Sequence, residues 1–393
     1  MKRFHIYLLA ALFASSLFAA LPVSAQSETP PTGPVGEVHG TIINRNNGKV
    51  VAETLDVMLH VLDQDLADKD MQHAQSANDG TFAFANISFE PNVQFVAMAT
   101  YQGVTYSSKV TPVDLKSMQV NIDVPVYETT NELTGVHIDQ MHVMFDFAED
   151  GLETKEIYVI SNANERTVKE AVQADEQHLA TLKFPLPVDA DYIFFKPDEQ
   201  NRFIKFGGGF ADANPILPKS NSQFMVSYLV PYIGQREYTY TAPLNISQIN
   251  FLIPAQSGIS LQGSGLIGPE SMTLENNTSY NVYSYAGLQA GQTVRVTIRG
   301  DLTPEPAQST RTKSWLPIGA AFLGVVFVGV GVWWWRRPAN TEDNNDIDSA
   351  DSTFDNLILE IAKLDEMLDQ GKINSETHQL LRQELMQQAK KLL

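Results

Sequence analysis

Met118-Gln119-Val120-Asn121-Ile122-Asp123-Val124-Pro125-Val126 alternates apolar and polar residues without a break. Successive side chains of a strand point to opposite faces, so the stretch predicts a β-strand. Met118, Val120, Ile122, Val124 and Val126 would be buried, and Gln119, Asn121, Asp123 and Pro125 would be wet. Upstream, apolar runs at 38–43, 50–62, 81–87, 93–101 and 104–110 are separated by turn chemistry: Asn46-Asn47-Gly48, Asn78-Asp79-Gly80 and Gln102-Gly103. About seven short strands with no helical period predict an antiparallel β-sandwich over residues 35–126.

Residues 127–300 continue in the same manner. Strands are expected at 141–148, 156–161, 181–185, 192–196, 203–206, 224–232, 249–253 and 293–299. Phe224, Val226, Tyr228 and Val230 share one face, as do Val294, Val296 and Ile298. Gly, Pro and Asn recur between the runs, which fits a second, larger sandwich.

The ends of the chain are different. Residues 1–25 have a basic start (Lys2, Arg3), an apolar run and the small-residue end Val23-Ser24-Ala25, the pattern of a secretory signal peptide cut before Gln26. Residues 26–34 form a Pro/Thr/Ser/Gly linker and 301–314 a Pro- and Thr-rich stalk. From Trp315 to Trp335 no residue is charged. These 21 residues, about 31 Å as a helix at roughly 1.5 Å per residue, match a hydrocarbon layer and are expected to be one transmembrane helix. Arg336-Arg337 places its inner end.

Residues 336–353 are an acidic, disordered linker by composition. In 354–393, Leu357, Ile361, Leu364 and Leu368 recur at helical spacing, Gly371 can stop a helix, and Leu381 and Leu385 follow on a second helix. The expected fold class is therefore mainly β: two tandem β-sandwich domains, one transmembrane helix and a C-terminal α-helical hairpin. Leu357, Ile361, Leu364, Leu368, Leu381 and Leu385 are the candidates for association, with a second copy or a protein partner, because two short helices cannot bury that stripe alone. Residues 26–314 are expected outside the cytoplasm and 336–393 inside it, on a single-pass membrane protein.

Two resemblances attach to these segments. Gly36-Glu37-Val38-His39-Gly40-Thr41-Ile42, Gly48-Lys49-Val50-Val51-Ala52 and Asn78-Asp79-Gly80-Thr81-Phe82-Ala83-Phe84 with Asn86-Ile87 resemble the carboxypeptidase regulatory-like domain, a transthyretin-like β-sandwich. That resemblance implies an accessory or binding module with no catalytic residues. The acidic insert 63–70 departs from it. Leu364, Leu368, Gly371, Ile373 and Leu385 are similar to the C-terminal hairpins of the SHOCT type, although Thr377-His378 stands where an aromatic is usual. That family implies association.

Charge narrows the partners. Residues 26–314 hold 18 Lys and Arg against 34 Asp and Glu, a net of −16, which excludes nucleic acid as an ordinary partner. The chain has no cysteine, so thiol chemistry and zinc-thiolate sites are excluded. His39, His60, His73, His137, His142, His178 and His378 form no zinc-protease signature. His137 and His142, five apart on one strand, would point to opposite faces and share no metal. Asp63, Asp65, Asp68 and Asp70 lack the glycine and closing glutamate of a calcium loop.

Gly263-Ser264-Gly265 follows Gln262, not the glycine of a nucleophile elbow, and Gly207-Gly208-Gly209 lacks the lysine of a phosphate loop. Tyr192, Phe194, Phe195, Phe203, Phe206 and Phe210 are read as core. No catalytic, cofactor or metal residues are assigned. The expected function is extracytoplasmic binding or assembly without catalysis. The alternatives are an exported hydrolase with two close carboxylates in the second domain, and a wall- or carbohydrate-binding adhesin with exposed aromatics.

Overall fold

A computed structural model describes residues 33–148, 151–273 and 279–300. Nine strands make the first unit: β1 (Val35–Asn44), β2 (Lys49–Val50), β3 (Asp56–Leu62), β4 (Asp68–Gln75), β5 (Thr81–Ser88), β6 (Gln94–Tyr101), β7 (Val104–Ser107), β8 (Thr111–Pro112) and β9 (Gln119–Val126). One sheet runs β2-β1-β5 with β9 on the free side of β1. The other runs β4-β3-β6-β7 with β8 on β6. Val38, Ile42, Phe82, Phe84, Ile122 and Val124 of the first sheet close a core against Val57, Leu59, Phe95, Ala97 and Tyr106 of the second. The alternation of Gln119–Val126 is realised in full, with Val120, Ile122, Val124 and Val126 buried. Pro125 is tolerated because β9 pairs only with β1 and its other edge needs no donor.

Seventeen shorter and longer strands follow: β10 (Thr129–Thr130), β11 (Val136–Ala148), β12 (Gly151–Asn162), β13 (Thr167–Val168), β14 (Val172–Gln173), β15 (Leu179–Ala180), β16 (Leu182–Pro185), β17 (Asp191–Phe195), β18 (Phe203–Phe206), β19 (Gly209–Asp212), β20 (Asn221–Val230), β21 (Gln235–Thr241), β22 (Ile246–Pro254), β23 (Ser260–Gln262), β24 (Leu266–Thr273), β25 (Ser279–Leu288) and β26 (Thr293–Arg299). A seven-stranded sheet, β17-β20-β12-β11-β22-β25-β24, packs its inner face on two three-stranded sheets, β21-β26-β23 and β16-β19-β18. Phe145, Tyr158, Phe184, Phe210, Phe224 and Phe251 fill that core with stacked and edge-on rings.

Polar groups join the two units. The Glu128 carboxylate accepts from Asn44 Nδ2 (2.5 Å), Tyr101 Oη (3.0 Å) and Gln102 Nε2 (2.7 Å). The Tyr106 hydroxyl lies 2.8 Å from Thr167 Oγ1, and burial raises its pKa to about 12. β10 pairs in parallel with β13, and Leu217 packs against the first core. With several donors converging on one carboxylate, the joint is directional and not merely a covalent tether.

Several expectations are corrected. The fold class is the main one. The described residues are β throughout, apart from a six-residue 3₁₀ turn at Pro197–Arg202, and no helix among them is long and apolar enough to cross a membrane. The transmembrane helix (315–335), the hairpin (354–393) with Leu357, Ile361, Leu364, Leu368, Leu381 and Leu385, and the signal peptide lie outside the described residues.

Within the described residues, the acidic insert is a turn only as far as Ala67. Asp63 Oδ1 accepts from the Asp65 and Ala67 amides, and Asp68–Gln75 then runs on as edge strand β4, its charges suiting an unpaired edge. Strands β21, β24 and β25 fall where no strand was expected. β24 is exposed along nearly its whole length, so its sequence carries no apolar period to read.

Candidate functional site

Four polar groupings stand out among the described residues, and one of them lines an open cleft. The first combines a serine, a histidine and an aspartate. Ser161 Oγ is 3.1 Å from His137 Nε2, which is 2.9 Å from Asp139 Oδ1. A nucleophilic triad needs the base to take a proton at one ring nitrogen while the acid holds the other. Here serine and aspartate share Nε2, and Ser161 also donates to Asp139 at 3.1 Å. The arrangement is a cross-strand hydrogen-bond cluster, His137 sitting opposite Ser161, and cannot run a relay. Burial raises the Asp139 pKa against the pull of His137.

Asp139 also overturns the parity argument for the two histidines. It is the extra residue of a bulge between Ile138 and Gln140. The bulge puts His137 opposite Ser161 and His142 opposite Ile157, four residues apart on β12 and so on one face, roughly 13 Å apart at about 3.3 Å per residue. They share a face but still not a metal, and no group of three metal-ligating side chains occurs among the described residues. His142 is buried. Its Nε2 meets Gln140 at 3.1 Å, its Nδ1 has no partner, and burial lowers its pKa to about 4. His60 is also buried, on Asp68 at 3.1 Å.

The second grouping is a carboxylate sealed in the second core. Glu156 Oε2 accepts from Tyr158 (2.6 Å), and Oε1 accepts from Tyr228 (2.7 Å) and Tyr238 (2.9 Å). Burial raises the Glu156 pKa against those three donors, and the tyrosines are raised well above their ordinary range, by burial first and then by Glu156. The hydroxyl of Tyr240 meets no hydrogen-bond geometry with another described residue.

A second buried carboxylate, Asp212, is held by Arg202 through Nε (2.8 Å) and Nη2 (2.7 Å), with the guanidinium over the Phe203 and Phe224 rings. The hydrolase alternative called for two buried, close carboxylates in one cleft of the second domain. Glu156 is closed in by tyrosines and Asp212 by an arginine, so neither meets a substrate. Sequence reading missed both, because Glu156 sits at an unremarkable polar position between Lys155 and Ile157.

The open grouping lies on the outer face of the first unit. Parallel pairing of β1 with β9 and antiparallel pairing of β1 with β5 set Thr81, Thr41 and Asp123 side by side in one row and Ala83, His39 and Asn121 in the next. With strands about 4.8 Å apart and alternate residues about 6.6 Å apart, the rows offer hydrogen-bonding groups over roughly 10 by 7 Å. Gln75 and Ala77 wall one side, and the cleft encloses about 610 Å³. His39 Nε2 contacts Glu37 at 3.0 Å and Thr81 Oγ1 donates to Asp79 at 2.7 Å. Thr41, Asn121 and Asp123 make no side-chain hydrogen bond to another described residue. The floor beneath is tight: a Cβ on Gly40 would stand 2.1 Å from the Phe82 ring and from Ile122 O, so only glycine fits.

The aromatics expected in the core divide. Phe195, Phe203 and Phe210 are buried together, while Tyr192 and Phe194 reach solvent. These two alone make no stacking row. Gly207-Gly208-Gly209 closes the tight β18–β19 turn, Gly208 at φ +89°.

No protein-family model matches the chain, the two resemblances above included, and no curated protein matches it. Among solved structures, the major pilin SpaD of Corynebacterium diphtheriae overlaps 69% of this chain and 88% of its own at 7% identity and TM-score 0.20. BcpA, the major pilin subunit of Bacillus cereus, overlaps 67% and 95% at 8% identity and TM-score 0.16. TM-scores this low carry no argument for a shared fold or function. What stands is the architecture of the described residues: β-sandwich units, the first of which carries an open polar cleft.

Proposed function

We propose that this chain is an exported, non-catalytic binding protein whose first sandwich takes a polar ligand across β5, β1 and β9. The observation that carries the reading is the pair of side-chain rows, in which Thr41, Asn121 and Asp123 offer a hydroxyl, an amide and a carboxylate from neighbouring strands. A hydroxyl-rich or cationic ligand suits them, given Asp123 and Glu37 and the acidic balance of the exported residues. Export is supported by the leader pattern of residues 1–25. The sealed state of Glu156 and Asp212, and the single shared nitrogen of His137, support binding over turnover.

The test is an array of oligosaccharides and cationic peptides probed with the full-length, detergent-solubilised protein. A ligand found on it should lose about tenfold or more in affinity on Asn121→Ala with Asp123→Ala, since one hydrogen bond to a charged group is worth about 1.5–3 kcal/mol. A ligand bound equally well by that variant would place recognition elsewhere. Chemical conversion of a bound ligand would overturn the non-catalytic reading.

A further inference from the structure

The two most exposed aliphatic side chains among the described residues are Val188, 97% exposed, and Ile233, 94% exposed. They occupy different loops, one between β16 and β17 and the other between β20 and β21, and one guanidinium ties the loops together. Arg236 donates from Nη2 to Asp189 Oδ1 (2.7 Å), and from Nη1 to Asp189 Oδ2 (3.0 Å) and Pro231 O (3.0 Å). Arg236 holds the Asp189 carboxyl below its usual range, so that charge is matched. Tyr192, 74% exposed, is the second residue of β17 at the same end, next to Asp191, which stands opposite Leu229.

A single exposed aliphatic needs no explanation. Two such residues presented on loops fixed to one cation are a different matter, because the clamp holds apolar surface in water where a free loop could fold it away.

The chain also leaves the second sandwich at this end. Tyr232, the neighbour of Ile233, donates its hydroxyl to Gly300 O at 2.8 Å, and its ring packs on Phe147 at 5.2 Å. From Gly300 the sequence runs on to Trp315, the uncharged residues 316–332 and three further tryptophans. Tryptophan and long uncharged runs are the chemistry of a lipid interface.

We propose that this end of the second sandwich faces a lipid surface, with Val188 and Ile233 entering its interfacial layer. Neutral lipid is the matching chemistry. Asp191, exposed at the start of β17, would repel an anionic surface. The proposal goes beyond the ligand reading and does not depend on the cleft.

The absence of cysteine makes the test direct. Val188→Cys, Ile233→Cys and, as a control on the first unit, Lys116→Cys would each carry an environment-sensitive fluorophore. The full-length protein would be mixed with phosphatidylcholine vesicles containing a headgroup-level quencher. The expected result is strong quenching with a blue shift at 188 and 233 and none at 116. Co-flotation with vesicles without quenching at 188 and 233 would overturn this docking alone. Failure to co-float would overturn any lipid contact of the chain. Self-quenching at 188 or 233 that is independent of lipid would assign the end to a second copy instead and likewise overturn the proposal. Loss of ligand binding in the cleft would leave all of these outcomes unchanged, so the two readings fail separately.

Discussion

Glu156→Gln is the perturbation that most directly examines the second core. In the native protein the carboxyl group is fully buried and accepts three tyrosine hydroxyls, and burial outweighs them to raise its pKa. A carboxyl whose folded pKa lies above its unfolded value binds its proton more tightly in the folded state. Its contribution to stability is complete below the unfolded pKa of about 4.5 and is lost as pH rises through the folded value. The native protein should therefore lose stability relative to Glu156→Gln by up to about 1.4 kcal/mol per pH unit from pH ~4.5 upward, until the folded carboxyl has ionised.

Glutamine keeps one acceptor oxygen for Tyr228 and Tyr238 and needs only a rotation of the Tyr158 hydroxyl, so the variant should fold. Glu156→Ala, by contrast, leaves three buried hydroxyls without an acceptor, at about 1–3 kcal/mol each, and should cost at least about 3 kcal/mol. Chemical denaturation from pH 4 to 8 reads both effects. It should be followed by tyrosine fluorescence and circular dichroism, since all four tryptophans lie beyond residue 314. Parallel stability curves for native protein and Glu156→Gln would refute the raised pKa, and a Glu156→Ala loss under about 1 kcal/mol would refute the tyrosine cage.

The other two perturbations address packing and the buried ion pair. Phe84 is buried between the sheets of the first unit and touches Phe82 edge-on at 6.0 Å, so Phe84→Ala should cost about 3–5 kcal/mol by the same denaturation assay. Arg202→Met removes both charged donors from Asp212 while keeping the apolar stem over Phe203 and Phe224. Stability at neutral pH should fall by about 3–5 kcal/mol and recover in part when Asp212→Asn is added.

The strand runs of the first unit could be read from residues 118–126 and their neighbours because side-chain period is a local property: each residue's face follows from the one before it. The turn at Asn78-Asp79-Gly80 was equally local. Gly80 takes φ +75°, and Asp79 Oδ1 accepts from the Thr81 amide and hydroxyl. Where a strand carries no period, as in exposed β24, the sequence is silent.

Parity failed in β11 because one extra residue, Asp139, shifts every side chain beyond it to the other face, and a bulge leaves no mark in composition. The cage around Glu156 was out of reach for a further reason. Tyr158 is two residues away, but Tyr228 and Tyr238 are 72 and 82 residues along the chain and arrive only when β20 and β21 are placed. The polar rows of the cleft depend in the same way on the register of β1 with β5 and β9. Sequence alone determined which residues alternate along strands that carry a regular period, such as β9. Tertiary structure decided which strands stand side by side, since pairing is set by hydrogen bonds and burial between segments far apart in the chain.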